Sequence, residues 1–412
     1  MRVIHTSDWH LGQHFYTKSR APEHEAFLTW LLQQVEKHQV DAIIVAGDIF
    51  DTGSPPSYAR ELYNRFVVAL QPTGCQLIIL AGNHDSVATL NESRELLACL
   101  NTLVTTTPDN LGDTPLTILK QRNGQPGALL CAVPFLRPRD LLQSQAGQSA
   151  ADKQLSLQEA ISQHYHQLHQ HALALRKQLG MALPIIATGH LTALGVTSSS
   201  SVRDIYIGTL DAFPASLFPD FDYLALGHIH RAQIVAGQPH IRYSGSPLPL
   251  SFDEVGQSKS VTLVEFHDGI LQQITTLDIP LFQPMQLIKG DMQQIIEQIK
   301  ALKTQTQTLW LDIEINSQEY LRDLQLQIQQ ITATLPVEVL LLRRSKSHYQ
   351  RQLQQQDKET LDELSVNEVF ERRLAQSTVL EDAQQSRLRQ LFAHIVAQVS
   401  EADNPADTDA QS

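Results

Sequence analysis

Five apolar, β-branched runs in the first 230 residues each end on, or just before, a residue able to bind a metal ion. They read RVIHTSD (2–8), DAIIVAGD (41–48), CQLIILAGN (75–83), PIIATGH (184–190) and DYLALGH (222–228). Runs apolar through their length suit strands buried on both faces. Phe27, Leu28, Leu31, Leu32 and Val35 recur at helical spacing between the first two runs, which predicts an amphipathic helix there. The alternation of strand and helix gives an α/β layered core. The residues at the strand ends are Asp8 and His10 in SDWHLG, Asp48 and Asp51 in GDIFD, and Asn83, His84 and Asp85 in GNHD. His190 follows in TGH, then His228 and His230 in GHIH. Such residues converge because the rigid sheet hands over to short loops at its carboxyl edge, and glycine lets those loops turn sharply.

The donors suffice for two cations. Ions in a two-metal site stand about 3.5–4 Å apart and need a shared carboxylate with separate terminal ligands. Asp48 is the natural bridge. Asp8, His10 and one of the late histidines complete one set; Asn83, His190 and the other late histidine complete the second. Oxygen and imidazole donors without thiolate fit Mn, Fe, Co or Zn better than an all-oxygen Ca or Mg site. Any one of these residues alone would suit a loop or a helix cap. Five motifs in order do not arise by coincidence. Asp85 serves equally well as a cap or structural hydrogen-bond acceptor, and Asp51 suits a turn cap as well as a site role.

The remainder of the chain divides by pattern. A hairpin over 260–279 closes the first domain, 1–280, and a Gln-rich, helical insertion occupies 140–183. The order βαβαβ restarts after Pro280, predicting a small α+β domain over 281–346. Two amphipathic helices follow within 347–399, and an acidic, disordered tail within 400–412. Four histidines in the insertion, His164, His166, His169 and His171, read as a solvated helix face, since no i, i+4 pair and no carboxylate accompany them. Arg137 and Arg139 in FLRPRD suit phosphate contact or loop bracing, and Arg343 suits DNA contact or plain solvation. The serines of SSSS (198–201) read as a mobile loop.

At 412 residues with 42% apolar content the chain is long enough for more than one domain. Its net charge of −13 argues, taken alone, against a nucleic-acid partner. Glu401, Asp403, Asp407 and Asp409 crowd the last dozen residues, however, and bound divalent ions reverse the sign of a site built from acids. Charge therefore excludes nothing. Three widely spaced cysteines, Cys75, Cys99 and Cys131, predict reduced thiols. With no signal-like start and no run near the roughly 20 apolar residues that span a bilayer, a cytoplasmic protein without membrane contact is expected.

The ordered series DxH, GDxxD, GNHD, GH and GHxH resembles that of the calcineurin-like metallophosphoesterases. Within them, DTGSPPSYA (51–59), VRDIYIGTLDAFP (202–214), GSPLPLSFDE (245–254) and LSVNEVFERRL (364–374) resemble the nucleases of double-strand-break repair. The resemblance implies a four-layer α/β/β/α sandwich with a capping domain and C-terminal helices. It implies one metal on Asp8, His10, Asp48 and His230 and another on Asp48, Asn83, His190 and His228, both manganese. His84, held by Asp51, would face the scissile phosphate as general acid or transition-state stabiliser. The implied enzyme is a DNA exonuclease and endonuclease of replication, recombination and repair. Its partners would be DNA, the SbcC ATPase docked by the helices after Leu361, and a second copy of the chain. The homodimer would form through 58–70 and 88–103, where the sequence supplies Leu62, Phe66, Val67 and Leu70. The chain has no GxxxxGK[ST] sequence, so ATP would be handled by the partner.

Overall fold

The computed structural model describes residues 1–108, 116–141, 150–199, 201–202, 212–302, 307–316 and 321–345, with isolated positions from 370 to 392. Chain contacts group Met1–Arg344 as one compact unit and Ser345–Ser412 as another. The helices expected over 347–399 and the tail over 400–412 lie outside the described residues, apart from those isolated positions.

Two six-stranded sheets form the body. In chain order the first unit runs β1 (Arg2–Thr6), a short hairpin β2 (His14–Phe15) and β3 (Lys18–Ser19), then α1 (Ala21–His38). It continues β4 (Ala42–Ala46), α2 (Ser57–Leu70), β5 (Gln76–Leu80), α3 (Val87–Asn91), α4 (Arg94–Cys99) and β6 (Thr102–Thr105). Next come β7 (Leu116–Lys120), β8 (Pro126–Cys131), α5 (Pro138–Leu141), the long α6 (Ala150–Leu179) and β9 (Ile185–His190). Strands β10 (Tyr223–Gly227), β11 (Gln233–Val235), β12 (Gln238–Tyr243), β13 (Ser260–His267) and β14 (Ile270–Asp278) complete the body. The first sheet has order β14-β13-β1-β4-β5-β6, the second β11-β12-β10-β9-β8-β7.

The burial pattern explains why the five runs are apolar at every position. On β4, Ile43 and Val45 face the cluster that holds Phe27 and Leu31 of α1 and Leu62 and Phe66 of α2. Ala42 and Ile44, on the opposite face, join Ile186, Tyr223 and Ala225 of the second sheet. On β10, Leu224 and Leu226 turn the other way, toward Ile161, Tyr165 and Leu168 of α6. Helix, sheet, sheet, helix is thus the layer order, as the resemblance implied. A strand between two apolar layers cannot alternate polar with apolar residues.

His5 is the polar exception between the sheets. Its Nε2–H donates to the Leu226 carbonyl at 3.1 Å, and Nδ1 accepts from the Tyr223 hydroxyl at 3.0 Å. Burial, reinforced by the Arg242 charge, outweighs the Leu226 hydrogen bond and pushes its pKa down to about 3. The unfolded chain, with an ordinary histidine pKa near about 6.5, binds more protons between those two values. This contribution to stability is therefore complete above about pH 6.5 and lost as pH falls toward about 3, by up to about 1.4 kcal/mol per pH unit. Urea midpoints should drop between pH 7 and 5, and His5→Gln, which keeps one donor and one acceptor, should flatten that slope. An unchanged slope would contradict the assignment.

Beyond Pro280 the order β15 (Met285–Gly290), α7 (Met292–Ala301), β16 (Leu309–Ile315), α8 (Leu321–Thr332), β17 (Val337–Arg344) builds a parallel three-stranded sheet. Asp291 starts α7 with a reciprocal capping box to Gln294. The sheet has its own core around Ile288, Ile295, Leu311, Ile313 and Ile328. It meets the body where Trp310 stacks on Phe15 at 5.7 Å, beside Phe252 and Met285. Arg343 pairs with Asp312 at 2.8 Å, so it braces this sheet.

Candidate active site

The carboxyl ends of β1, β4, β5, β9 and β10 bring the sequence motifs together. Trp9 is fully buried, edge-on to Phe27 and Phe66, and Ile229 is fully buried in the core under α6. These anchors explain the x of DxH and HxH. Each fixes the pair of flanking residues from the core side. The turns that follow are tight: Asp8, His10, Asp48 and His228 adopt φ of 54°, 46°, 53° and 93°. Left-handed backbone at non-glycine residues costs about 1–3 kcal/mol each and is found where function demands a particular aim. Gly47 (φ 96°) and Gly82 cannot be replaced, since a Cβ would strike the His190 ring and the Asp48 carboxylate respectively.

Three overlapping groups of ligand atoms result, each with its atoms within 4.8 Å of one another: Asp8, His10 and His230; His10, Asp48 and His84; Asp48, His190 and His228. Asp48, which is 1% exposed, belongs to two of them. Its Oδ2 lies 3.2 Å from His190 Nε2 and 3.7 Å from His10 Nε2, while Oδ1 accepts the His84 amide at 2.9 Å. Asn83 Oδ1 lies 2.8 Å from His190 Nε2 and 3.2 Å from His228 Nδ1. His228 in turn donates its amide to Asp8 Oδ1 at 3.0 Å.

These atoms fit cations. His190 Nδ1–H donates to the Ala46 carbonyl at 2.9 Å, so its Nε2 lone pair points at Asp48 Oδ2 and Asn83 Oδ1, both acceptors. Three acceptors facing one another need a positive charge between them. Without one, burial pushes His190 down but the Asp48 charge and hydrogen bond outweigh it, raising the imidazole to about 9. Burial raises Asp48, yet His190 and the neighbouring histidines hold its carboxyl well below the usual range. His228 Nε2 and His10 Nε2 are buried without a hydrogen-bond partner. Beside the carboxylates grouped with them, such nitrogens have the chemistry of metal ligands.

His84 Nδ1 donates to the backbone carbonyl of Asp51 at 2.8 Å, and the Asp51 carboxylate lies 3.2 Å from His10 Nδ1. Asp51 thus contacts both imidazoles, through different atoms. Asp85 accepts from the amides of Gly82, Ile49 and Phe50 at 2.9, 3.1 and 3.0 Å. Those bonds tie the GDIFD loop to the GNHD loop, which is the structural use of Asp85. Burial, then the Asp48 charge, raise its pKa to about 6. The insertion histidines join none of the ligand groups among the described residues, and His169 packs on Phe221 at 5.0 Å. Arg137 leans on Phe135 and reaches the Asp85 carbonyl at 3.4 Å, so it braces the loop.

Two features had no signal in the sequence. Ser7 donates to Asp8 Oδ2 at 2.6 Å, and Glu254 is wholly buried beside His230, at 3.7 Å from its Nδ1. The former is an ordinary strand residue; the latter lies 24 positions from the ligand it approaches.

The family model for calcineurin-like phosphoesterases matches residues 1–232. That for the type 5 capsule protein repressor C-terminal domain matches 281–378. The SbcD component of the SbcCD nuclease of Escherichia coli strain K12 is 59% identical over 394 residues, covering 95% of this chain and 97% of that protein. Its counterparts in the SbcCD nucleases of Rhodobacter capsulatus and Bacillus subtilis are 35% and 30% identical, covering 70% and 76% of this chain and 71% and 79% of those proteins. Fold and donor set together define a calcineurin-like metallophosphoesterase. The chain belongs, within that class, to the SbcD family of the SbcCD nucleases.

Proposed function

We infer that this chain is the DNA-cleaving component of an SbcC–SbcD complex, hydrolysing phosphodiester bonds in double-strand-break repair, recombination and replication. The observation that carries the reading is the meeting of Asp8, His10, Asp48, Asn83, His190, His228 and His230 around buried, unsatisfied nitrogens. Asp8, His10, Asp48 and His230 would hold one divalent ion, and Asp48, Asn83, His190 and His228 the other. Bound there, two cations supply Lewis acidity and a water acidic enough to attack phosphorus at neutral pH. Manganese suits the mixed oxygen and imidazole set.

The protein's own part is positioning and proton delivery. Asp48 fixes His84 through its amide, and the Asp51 carbonyl fixes the imidazole through Nδ1–H. With Nδ1 committed, Nε2 is the atom whose protonation changes, suited to donate to the leaving 3′ oxygen or to stabilise its charge. The activities are an ATP-dependent double-strand exonuclease and a single-strand or hairpin endonuclease, with ATP bound by the SbcC partner. The segment 347–399, expected from its sequence to be helical, docks on that partner, and a second copy joins through the α2 and α3–α4 region. Leu62, Phe66, Val67 and Leu70, expected to supply that contact, are spent in the chain's own core; Val68 and Leu96, 59% and 66% exposed, are large apolar residues left outside.

Purified protein with Mn²⁺ should cut single-stranded and hairpin-ended DNA, cut poorly in Mg²⁺, and scatter light as a dimer. Adding SbcC and ATP should extend cutting to duplex ends. Brisk turnover of p-nitrophenyl phosphate with DNA untouched would overturn the reading in favour of a phosphomonoesterase.

A further inference from the structure

Three serines and a glutamate outside the ligand set close around His230. Glu254 is fully buried, and its Oε1 accepts from Ser199 at 2.7 Å, Ser201 at 2.6 Å and Ser251 at 3.3 Å. Its Oε2 accepts from Lys259 Nζ at 2.6 Å and the Leu250 amide at 3.1 Å. The Lys259 ammonium at 2.6 Å and the hydroxyl and amide donors around it are the surroundings of an ionised carboxylate. An ionised carboxylate only accepts. Ser199 and Ser201 lie 2.8 Å apart, and where each turns its single proton to Glu254 Oε1, as their 2.7 and 2.6 Å distances allow, the Ser201 proton is spent on the carboxylate.

The consequence falls on His230. Ser201 Oγ lies 2.6 Å from His230 Nδ1, whereas Glu254 Oε1 is 3.7 Å away, too far to bond the ring directly. A hydroxyl that has spent its proton can only accept, so Nδ1 must bear the hydrogen. Nε2 is then the lone-pair nitrogen, on a ring 5.2 Å from that of His10 and grouped with Asp8. The backbone is held as well: the His230 carbonyl accepts from Lys259 Nζ at 2.9 Å and from the Ser246 amide at 3.1 Å. Lys259 is 8% exposed and bonded to Glu254, so one buried ion pair grips both ends of the residue.

We propose that Glu254, acting through the Ser201 hydroxyl, is a positioning residue for the metal site, which sets the tautomer and angle of His230. Ser199 and Ser201 then form part of a clamp on the site, contrary to the loop role expected from SSSS. The proposal rests on reading His230 as a metal ligand. A ligating histidine generally gives its other N–H to an oriented acceptor, and loss of that acceptor weakens metal binding about 10- to 100-fold.

The test uses full-length protein and Mn²⁺ alone, following the free ion by electron paramagnetic resonance. The unmodified protein should bind two ions. Ser201→Ala should remain folded when metal-free, though it melts somewhat lower, yet bind one ion about 10- to 100-fold more weakly. Ser201→Thr, which restores the hydroxyl, should recover the affinity. Unchanged binding by Ser201→Ala, or equal losses in Ala and Thr variants, would overturn the proposal. Fewer than two ions on the unmodified protein would instead overturn the ligand assignment beneath it. A second readout needs no variant: ¹⁵N spectra of the metal-free protein should place the His230 proton on Nδ1, and a proton on Nε2 with Nδ1 bare would refute the relay.

Discussion

Asparagine in place of Asp48 should give a folded protein that neither keeps two divalent ions nor cleaves DNA. The carboxylate is 1% exposed, with Oδ2 between His190 Nε2 at 3.2 Å and His10 Nε2 at 3.7 Å. An amide offers one oxygen and turns hydrogens toward the position a cation would take. Asparagine is the right probe because the backbone here has φ 53°, a conformation that Asn tolerates nearly as well as Asp. Alanine would add backbone strain and confuse the result. The loss of activity should exceed the about 10²- to 10³-fold that removal of one preorganised electrostatic contact costs. Metal content by mass spectrometry, measured beside cleavage, checks it. Two ions retained with normal turnover would show that Asp48 bridges nothing.

His84→Ala should separate what Asp48→Asn combines. Cleavage should fall by about 10²- to 10⁴-fold, the range for losing a general acid or base, while both ions stay bound. His84 joins a ligand group only with His10 and Asp48, and its Nδ1 is turned to the Asp51 carbonyl at 2.8 Å. A group that serves the leaving oxygen can be removed without disturbing the donors around it. Single-turnover cleavage of a hairpin DNA is the measurement, with metal content as control. Cleavage at the unmodified rate would mean that some other group protonates the leaving oxygen.

The layered core was legible because burial on both faces leaves its mark at every position. Ile43, Ile44 and Val45 have no polar residue between them, and the structure puts them against two different layers. The strand-end residues were legible for a related reason: a strand can aim only what stands at its carboxyl end, so chemistry gathers at predictable places. The hairpin at His14–Phe15 and Lys18–Ser19 and strand β12, which lies between β11 and β10, carry no such run. With QPHIRY half exposed, β12 lacks the apolar continuity of the five runs. Glu254 and Ser201 were illegible for another reason. Their meeting brings together two segments distant in sequence beside His230, and serines in a polar stretch look alike whether solvated or buried. The apolar residues of α2 show the converse limit. The sequence shows Leu62, Phe66 and Val67 as apolar, but whether this chain or a second copy buries them depends on which layer covers them.

The sharpest test is to grow crystals in excess Mn²⁺ and record anomalous scattering at the manganese edge. Two peaks should lie at the ends of β1, β4, β5, β9 and β10, with Asp48 touching both, His228 one and His230 the other. A single peak, or two with Asp48 turned away, would contradict the shared-carboxylate site from which the enzymatic reading is built.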